Sequence, residues 1–254
     1  MSSFSELKPN QSKSNSIFYE EQEKYYSESV GSNILKLENF TKYTSRETIA
    51  RFLARNEIFK KQLDIHGCVL DFGVRRGASL MTWAHLSAIY EPVNYTREIV
   101  GFDTFDGFPE IDAKKDEGSC KEIISKGALS VESGMKEDIE RSITLHDGTR
   151  FLGHMQKTRL IQGDILKTLP KFLDDNRHMV VSLLHIDVDI YAPTKCILEN
   201  VLHRMPKGAV ILFDEVNMKV FPGETIAVLE TVGIKNLKIN RFDFCPNISY
   251  AVLE

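Results

Sequence analysis

The chain has 254 residues, of which 42% are hydrophobic and 27% are charged, and its formal net charge is -4. This length is enough for one α/β domain with a sizeable core, and the charge gives no reason to expect nucleic acid as a partner. No apolar run approaches the roughly 20 residues that a membrane span needs, and the first residues lack the apolar core of a signal peptide. We therefore expect a cytoplasmic protein that binds no membrane.

Residues 1–40 read as an extension of the main domain, which we place at 41–254. Residues 1 to about 16 are rich in Ser, Lys and Asn, so we expect them to be disordered. Residues 17–29 carry aromatic side chains among glutamates and predict a short helix. Two roles stay open for this helix: packing, on the domain or on a second subunit, and closing over a site as a lid.

Strands and helices alternate along the main domain. Apolar runs predict strands at 68–72, 98–102, 158–162, 180–189 and 209–213, with helical periodicity between them. Two more strands, at 237–242 and 248–253, are joined by a short turn at 245–247, which predicts an antiparallel pair. The order indicates an α/β fold: a doubly wound, mostly parallel, seven-stranded sheet with a C-terminal antiparallel hairpin.

An insertion at about residues 107–157 interrupts this alternation. Its periodicity is poor, several glycines punctuate it, and only residues 135–152 read as partly helical. A long insertion at the carboxyl end of a strand is more often a lid or a substrate loop than a packing element. We expect that role here.

Two of the predicted strands end in acidic residues. Asp187 and Asp189 close the fourth strand, and Asp214 and Glu215 follow the fifth. Because ligands bind outside the carboxyl ends of parallel strands, we expect these carboxylates to converge at one mouth. They would repel one another unless a proton or a cation lies among them, and oxygen ligands suit Mg²⁺. Strand alternation also predicts His185 on the same side as the two strand aspartates, where we favour a buried, hydrogen-bonded role over a catalytic one.

The first three strands end in features that fit a nucleoside with a cationic tail, S-adenosylmethionine. The loop from Gly73 to Gly77 lacks the Gly-x-Gly-x-x-Gly pattern of dinucleotide sites. Asp71 precedes it and would repel a pyrophosphate but hold a cationic amino group. Asp103 is placed to accept from ribose hydroxyls and Asp164 from an adenine amino group, although an Asp after a strand often only caps the next helix.

Several motifs match a known family. They are Ala50 to Arg55, Asp71 to Ser79, the block Gly101-Phe102-Asp103-Thr104-Phe105-Asp106-Gly107-Phe108-Pro109, Gly163-Asp164, Asp187 to Tyr191, and Asp214-Glu215. From about Phe40 to its end, the chain resembles the metal-dependent sugar O-methyltransferases of antibiotic pathways, the macrocin O-methyltransferase family. The stretch Phe221-Pro222-Gly223-Glu224 is most similar to the branch that acts on nucleotide-linked deoxysugars.

The resemblance implies a class I methyltransferase fold, S-adenosylmethionine as methyl donor, Mg²⁺, and a sugar or nucleotide-sugar hydroxyl as acceptor. It places metal ligands at Asp187, Asp214 and Glu215, and a general base at Asp189. The residues that would bind the cofactor are Asp71, Gly73, Gly77, Ser79, Asp103, Thr104, Phe105, Gly163, Asp164 and Asp187. Members of the family are usually oligomers, so we expect a homo-oligomer. The chain departs from the family pattern at Val188, where Gly is usual, and at Glu215, where Asp is common.

Two rival functions stay open. A nicotinamide-dependent sugar oxidoreductase or epimerase would use a similar sheet, but the missing glycine pattern and the extra carboxylates count against it. A non-catalytic binding protein would have no use for an acidic cluster, which is costly to keep. Two residues also have alternative roles: Asp189 would cap the following helix, and Glu224 would either touch metal or substrate or interact with its own helix N-terminus.

Overall fold

A computed structural model describes residues 13–119 and 123–254. Residues 1–12, which are expected to be disordered, lie outside the described residues. The chain divides into two compact units, Met1–Leu53 and Ala54–Glu254, and each is described by itself. Among the described residues, no helix combines the length and the apolar character that crossing a membrane requires.

The first unit contains helix α1 (Lys13–Glu28), helix α2 (Asn33–Glu38) and a 3-10 turn at Phe40–Lys42. The predicted short helix is confirmed, and it begins at Lys13, within the stretch expected to be disordered. The ring of Tyr43 stacks on that of Tyr25, with 5.6 Å between centroids. None of the described hydrophobic side chains in this unit is buried, so aromatic and polar contacts organise it rather than a core.

The second unit is built on one seven-stranded sheet with the strand order β3-β2-β1-β4-β5-β7-β6. The strands are β1 (Cys68–Phe72), β2 (Ile99–Asp103), β3 (Thr158–Gln162), β4 (Val181–Ile186), β5 (Val210–Phe213), β6 (Asn240–Phe242) and β7 (Cys245–Val252). The first five are parallel, and β7 runs antiparallel to both β5 and β6. The predicted sheet with its terminal antiparallel pair is confirmed.

Helices cover both faces of the sheet. Helix α3 (Arg46–Lys61) precedes β1, and the later helices are α4 (Ala78–Tyr90), α5 (Met135–Asp147), α6 (Ile165–Asp175), α7 (Tyr191–Val201) and α8 (Pro222–Thr231). Leu169 of α6, Leu198 of α7 and Val228 of α8 belong to one core cluster with the strands. The indole of Trp83 in α4 stacks with Phe59 of α3, both fully buried. This layering is what alternating strands and helices produce.

The turn between the last two strands differs from the prediction, which placed it at 245–247. β7 already begins at Cys245, so the turn consists of Asp243 and Phe244. Pro246 lies inside β7 at a register shift: Arg241 pairs with Ser249, whereas the next residue pairs with Cys245. Proline fits such an irregularity because the ladder there needs no amide donor.

The first part of the insertion is a packing element, contrary to the expectation for this segment. Phe108 and Ile123 are buried in a cluster with Ile190, Val220 and Phe221, which follow the ends of β4 and β5. This cluster is separate from the core of the sheet and lies at its carboxyl edge. Hydrophobic burial therefore fixes this part of the insertion against the loops that carry the acidic residues.

Candidate active site

The acidic residues converge because β4 and β5 are neighbours in register. Ile186 pairs with Phe213, so Asp187 and Asp214 are the next residues on adjacent strands. The amide of Asp187 donates to the carbonyl of Phe72 at 2.9 Å, and that of Asp214 donates to Ile186 at 3.2 Å. These bonds continue the ladder past the strand ends and hold both loops in place.

We define the acidic centre as Asp187, Asp189, Asp214, Glu215 and Glu224. Donor atoms of Asp187, Asp189 and Glu215 lie within 4.8 Å of one another, and so do those of His185, Asp187 and Asp214. The Glu215 amide donates to Oε1 of Glu224 at 3.1 Å, and this hydrogen bond connects Glu224 to the other four residues. The predicted convergence of the two strand ends is confirmed.

The electrostatics of the acidic centre call for a positive charge. Burial, and next the charge of Asp214, raises the pKa of Glu215 well above its usual range. Burial likewise raises the pKa of Glu224. The Oε2 atom of each of these glutamates is buried without a hydrogen-bond partner among the described residues. A set of oxygen donors in this state fits a hard divalent cation such as Mg²⁺.

Asp189 lies outside the strand, so the prediction that strand alternation orients this residue is wrong. β4 ends at Ile186, and Asp189 has a φ of 62°. It is the middle residue of a three-residue turn in which Ile190 donates its amide to the carbonyl of Val188 at 2.6 Å. This turn type is uncommon and strained, and it aims Asp189 back toward Asp187 and Glu215.

His185 is buried and hydrogen-bonded, as favoured from the sequence. It has no exposed surface, and its Nδ1 pairs with the carboxylate of Asp71 on the neighbouring strand. Asp71 also accepts from Ser79 Oγ at 2.8 Å and from Trp83 Nε1 at 3.3 Å. Asp71 is buried and orients the side chains of His185, Ser79 and Trp83. An ammonium group of a cofactor could contact Asp71 directly only by replacing one of these three hydrogen bonds.

The loop after β1 passes very close to the acidic centre. Gly73 has a φ of 91°, and a Cβ there would lie 1.7 Å from the carbonyl oxygen of Asp187. Gly77, also at positive φ, donates its amide to Val74 and precedes α4. Glycine at 73 is therefore required by the close approach as well as by the backbone conformation.

Asp103 lies at the end of β2 beside this loop. Its carboxylate accepts from the amide of Arg75 at 2.7 Å and from that of Phe105 at 2.6 Å. Burial raises its pKa in spite of these two bonds. Thr104 donates its hydroxyl to the carbonyl of Gly107 at 2.7 Å. The predicted cofactor residues of the first two strands thus occupy neighbouring loops at one edge of the sheet.

The third strand ends at Gly163 and Asp164. The amide of Gly163 donates to the carbonyl of Asp103 at 2.8 Å, which ties this end to the second strand. Asp164 caps α6, since its Oδ1 accepts from Leu166 at 3.0 Å. The capping role left open by the sequence is therefore observed, and a contact with adenine stays a prediction.

Asp116 was not predicted from the sequence. This residue is buried in the insertion and accepts from the amide of Tyr191 at 2.7 Å. Its partner is a main-chain group far along the chain, so no local pattern of residue types marks it. The role of Glu224, which the sequence left open, is membership of the acidic centre. The sequence feature that could have indicated this is its position in the first turn of a helix that begins with proline.

Comparison with known proteins identifies the family. The family of methyltransferase domains matches residues 70–216, which is more than half of the chain. The chain belongs to this methyltransferase family. It is therefore an S-adenosylmethionine-dependent enzyme, and this decides against the nicotinamide-dependent rival. A search of curated protein sequences finds no match.

Solved structures agree with this assignment. The methyltransferase is 29% identical to the calicheamicin methyltransferase CalS11, over 95% of this chain and 93% of that one, with a TM-score of 0.91. The apo structure of CalS11, a TDP-rhamnose 3'-O-methyltransferase of calicheamicin biosynthesis, gives 28% identity and a TM-score of 0.83 over 95% of each chain. The O-methyltransferase NovP, 18% identical with a TM-score of 0.63 over 81% of this chain and 80% of that one, has the same fold. The class I methyltransferase fold expected from the sequence is confirmed.

Proposed function

We propose that this methyltransferase moves a methyl group from S-adenosylmethionine to a hydroxyl of a nucleotide-linked deoxysugar in a reaction that needs Mg²⁺. The observation that carries the proposal is the acidic centre at the carboxyl edge of the sheet. The similarity to CalS11, which covers nearly all of both chains, supports a sugar acceptor. The sequence resemblance to the macrocin O-methyltransferase family supports the same class of acceptor.

Three residues of the acidic centre would hold the metal: Asp187, Asp214 and Glu215. Asp187 has a donor atom within 4.8 Å of one of Asp214 and a donor atom within 4.8 Å of one of Glu215, and burial beside Asp214 raises the pKa of Glu215. When bound there, Mg²⁺ supplies Lewis acidity that lowers the pKa of a sugar hydroxyl. The carboxylates of the chain fix where that hydroxyl lies.

Asp189 would act as the general base. It is 9% exposed and aimed at the same group of carboxylates. Asp189 takes the proton of the sugar hydroxyl, and the oxygen forms a bond with the methyl carbon while the carbon–sulfur bond breaks. The sulfur leaves as the neutral thioether of S-adenosylhomocysteine. The rest of the site accelerates the reaction by holding donor and acceptor in line.

The methyl donor would bind along the ends of β1, β2 and β3. Asp103 would accept from the ribose hydroxyls, because the two amides that it binds hold its carboxylate in a fixed orientation. Asp164 would receive the adenine amino group. The remaining predicted contacts are Gly73, Gly77, Ser79, Thr104, Phe105, Gly163 and Asp187, with Asp71 orienting Ser79.

The acceptor class and the metal are tested together by methyl transfer. EDTA-stripped protein is given S-adenosylmethionine and a panel of nucleotide-linked deoxysugars, with and without Mg²⁺, and S-adenosylhomocysteine is measured. We expect product only with Mg²⁺, and a loss of at least about 100-fold in Asp189→Asn, the range for removing a general base. Asp174→Asn, on an exposed position of α6, is the matched control. Equal turnover without Mg²⁺ would reject the metal, and no turnover would reject the acceptor class.

We also propose a homo-oligomer. Its support is the first unit, which exposes many large hydrophobic side chains, among them Val30 at 93% and Ile34 at 66%. Exposed apolar surface of this kind is common at subunit contacts. Light scattering after size-exclusion chromatography tests the proposal, and a monomeric mass would refute it.

A further inference from the structure

Asp116 connects the insertion to the start of α7. Its Oδ1 accepts from the amide of Tyr191 at 2.7 Å, and its Oδ2 accepts from the amide of Asp112 at 2.9 Å. Tyr191 is the first residue of α7, and the cap residue Ile190 makes no side-chain cap bond. Asp116 therefore caps this helix from another part of the chain, where a carboxylate is also favoured by the helix dipole.

The neighbouring Lys115 holds the side chain of the same tyrosine. Its Nζ lies 3.8 Å from the centroid of the Tyr191 ring and 2.7 Å from Glu230 Oε2. The Tyr191 hydroxyl donates to the same Glu230 oxygen at 2.5 Å. Two consecutive residues of the insertion thus hold both the main chain and the side chain of Tyr191.

Gly223 brings the second acidic loop to the same point. A Cβ at Gly223 would lie 2.1 Å from Asp116 Oδ1 and 2.4 Å from the amide nitrogen of Tyr191. The next residue, Glu224, accepts from the amide of Glu215. The hydrogen bond between Asp116 and Tyr191 is therefore packed against the backbone of Gly223, which directly precedes Glu224 of the acidic centre.

Asp189 lies two residues before Tyr191, in a turn that the chain does not adopt readily. Its φ of 62° persists only where the surroundings hold the flanking residues. Ile190 is buried on one side, and the bond from Tyr191 to Asp116 fixes the residue that follows. Without that bond, the strained turn is free to relax and to move the Asp189 carboxylate.

We infer that Asp116 is a positioning residue that holds Asp189 and the rest of the acidic centre in the arrangement needed for methyl transfer. The inference rests on the proposed function. A displacement of about 1 Å at a reacting group lowers the rate by about 100-fold. Asp116 itself touches neither the acceptor nor the methyl donor in this scheme.

The test compares Asp116→Ala with Asp116→Asn and with Asp112→Ala as the matched control. Asparagine keeps a carbonyl oxygen for the Tyr191 amide. Asp112→Ala removes a carboxylate from the same turn, where it accepts from the backbone amides of Lys114 and Lys115, without touching Tyr191. The readouts are kcat, KM for S-adenosylmethionine and hydrogen exchange of the Tyr191 amide. A fourth readout is Mn²⁺ affinity, measured from the electron paramagnetic resonance signal of free Mn²⁺.

In Asp116→Ala we expect kcat to fall by about 100-fold with little change in KM, together with faster exchange of the Tyr191 amide. Asp116→Asn should retain most of kcat, and the control should retain nearly all of it. Faster exchange with an unchanged kcat would overturn the inference, as would an equal loss in the control. If Asp116→Ala fails to fold, Asp116→Glu keeps the carboxylate but moves it by one methylene, and a parent-like kcat together with faster exchange of the Tyr191 amide in that variant would overturn the inference.

Failure of the proposed function gives a different result. If the parent chain methylates no acceptor, the sugar assignment is rejected and Mn²⁺ affinity decides on Asp116. Weaker Mn²⁺ binding in Asp116→Ala, by about tenfold, with parent-like binding in Asp112→Ala, would support the positioning role. Equal Mn²⁺ affinity in all variants would overturn it.

Discussion

His185 and Asp71 form a buried pair across two adjacent strands, with Nδ1 of the imidazole bonded to the carboxylate and no exposed surface on either residue. The register of β1 and β4 places the two residues directly opposite each other. The same carboxylate accepts hydrogen bonds from the hydroxyl of Ser79 and the indole N–H of Trp83. Three side chains, one from β4 and two from α4, therefore depend on a single acidic group in β1.

Asp71→Ala should destabilise the fold strongly. The substitution leaves three buried donors without a partner, and losing one partner of a buried charged network costs about 3–5 kcal/mol. Urea unfolding followed by Trp83 fluorescence measures the change. Asp106→Ala, on an exposed position after β2, should shift stability by no more than about 0.5 kcal/mol. Similar values for both variants would contradict the role of Asp71.

Gly73→Ala should abolish methyl transfer and destabilise the chain. The new Cβ would lie 1.7 Å from the Asp187 carbonyl, so the acidic loop must move. Gly127→Ala is the matched control, because Gly127 has a φ of 77° but no atom of residues 13–119 or 123–254 lies within 4 Å of an added Cβ. That variant should lose only about 1 kcal/mol, the cost of a left-handed backbone, and keep its activity. Thermal unfolding and product formation distinguish the two.

Glu215→Gln should stabilise the metal-free protein and remove its response to Mg²⁺. Burial and the charge of Asp214 disfavour the ionised carboxylate, so a neutral amide relieves repulsion as long as no cation is bound. We expect Tm in EDTA to rise by about 2–4 °C, the shift that corresponds to about 1 kcal/mol. Mg²⁺ should raise Tm of the parent but not of the variant. Glu199→Gln, on an exposed position of α7, should behave as the parent in both buffers.

Mild acid should destabilise the contact between α4 and the insertion. The rings of His85 and His146 lie 4.5 Å apart, and burial, with the neighbouring His85, lowers the pKa of His146 from 6.5. Asp147 raises that pKa and Arg150 lowers it. Because the folded pKa is depressed, this contribution to stability is complete above pH 6.5 and is lost as the pH falls through the folded value. His146→Leu should flatten the decline of Tm in this range, and His154→Leu should leave it unchanged.

The sheet and the convergence of Asp187 with Asp214 were predictable because long apolar runs mark buried parallel strands. Once two such strands are neighbours, their carboxyl ends must meet at one edge. The same runs misplaced Asp189, since Val188 and Ile190 continue the apolar pattern beyond the strand into a three-residue turn. Backbone conformations of positive φ leave no trace in hydrophobic periodicity.

Asp116 and Pro246 show two other limits. Asp116 binds a main-chain amide. Every residue except proline has such an amide, so no pattern of residue types in the sequence marks the partner of Asp116. Pro246 reads as a turn residue, but β7 accommodates it at a register shift. Both depend on contacts between segments distant along the chain, which only the assembled sheet defines.

The position of β7 between β5 and β6 has a consequence for how the protein is made. β7 is an interior strand that follows β5, α8 and β6 in the chain, so β5 keeps an unpaired edge until β7 has been made. Asp214 and Glu215 follow that strand directly, and the pairing of Phe213 with Ser249 supports the strand end that carries them. A chain that lacks β7 would therefore expose the edge of the strand that leads into Asp214 and Glu215, and such an edge is prone to pair with strands of other molecules.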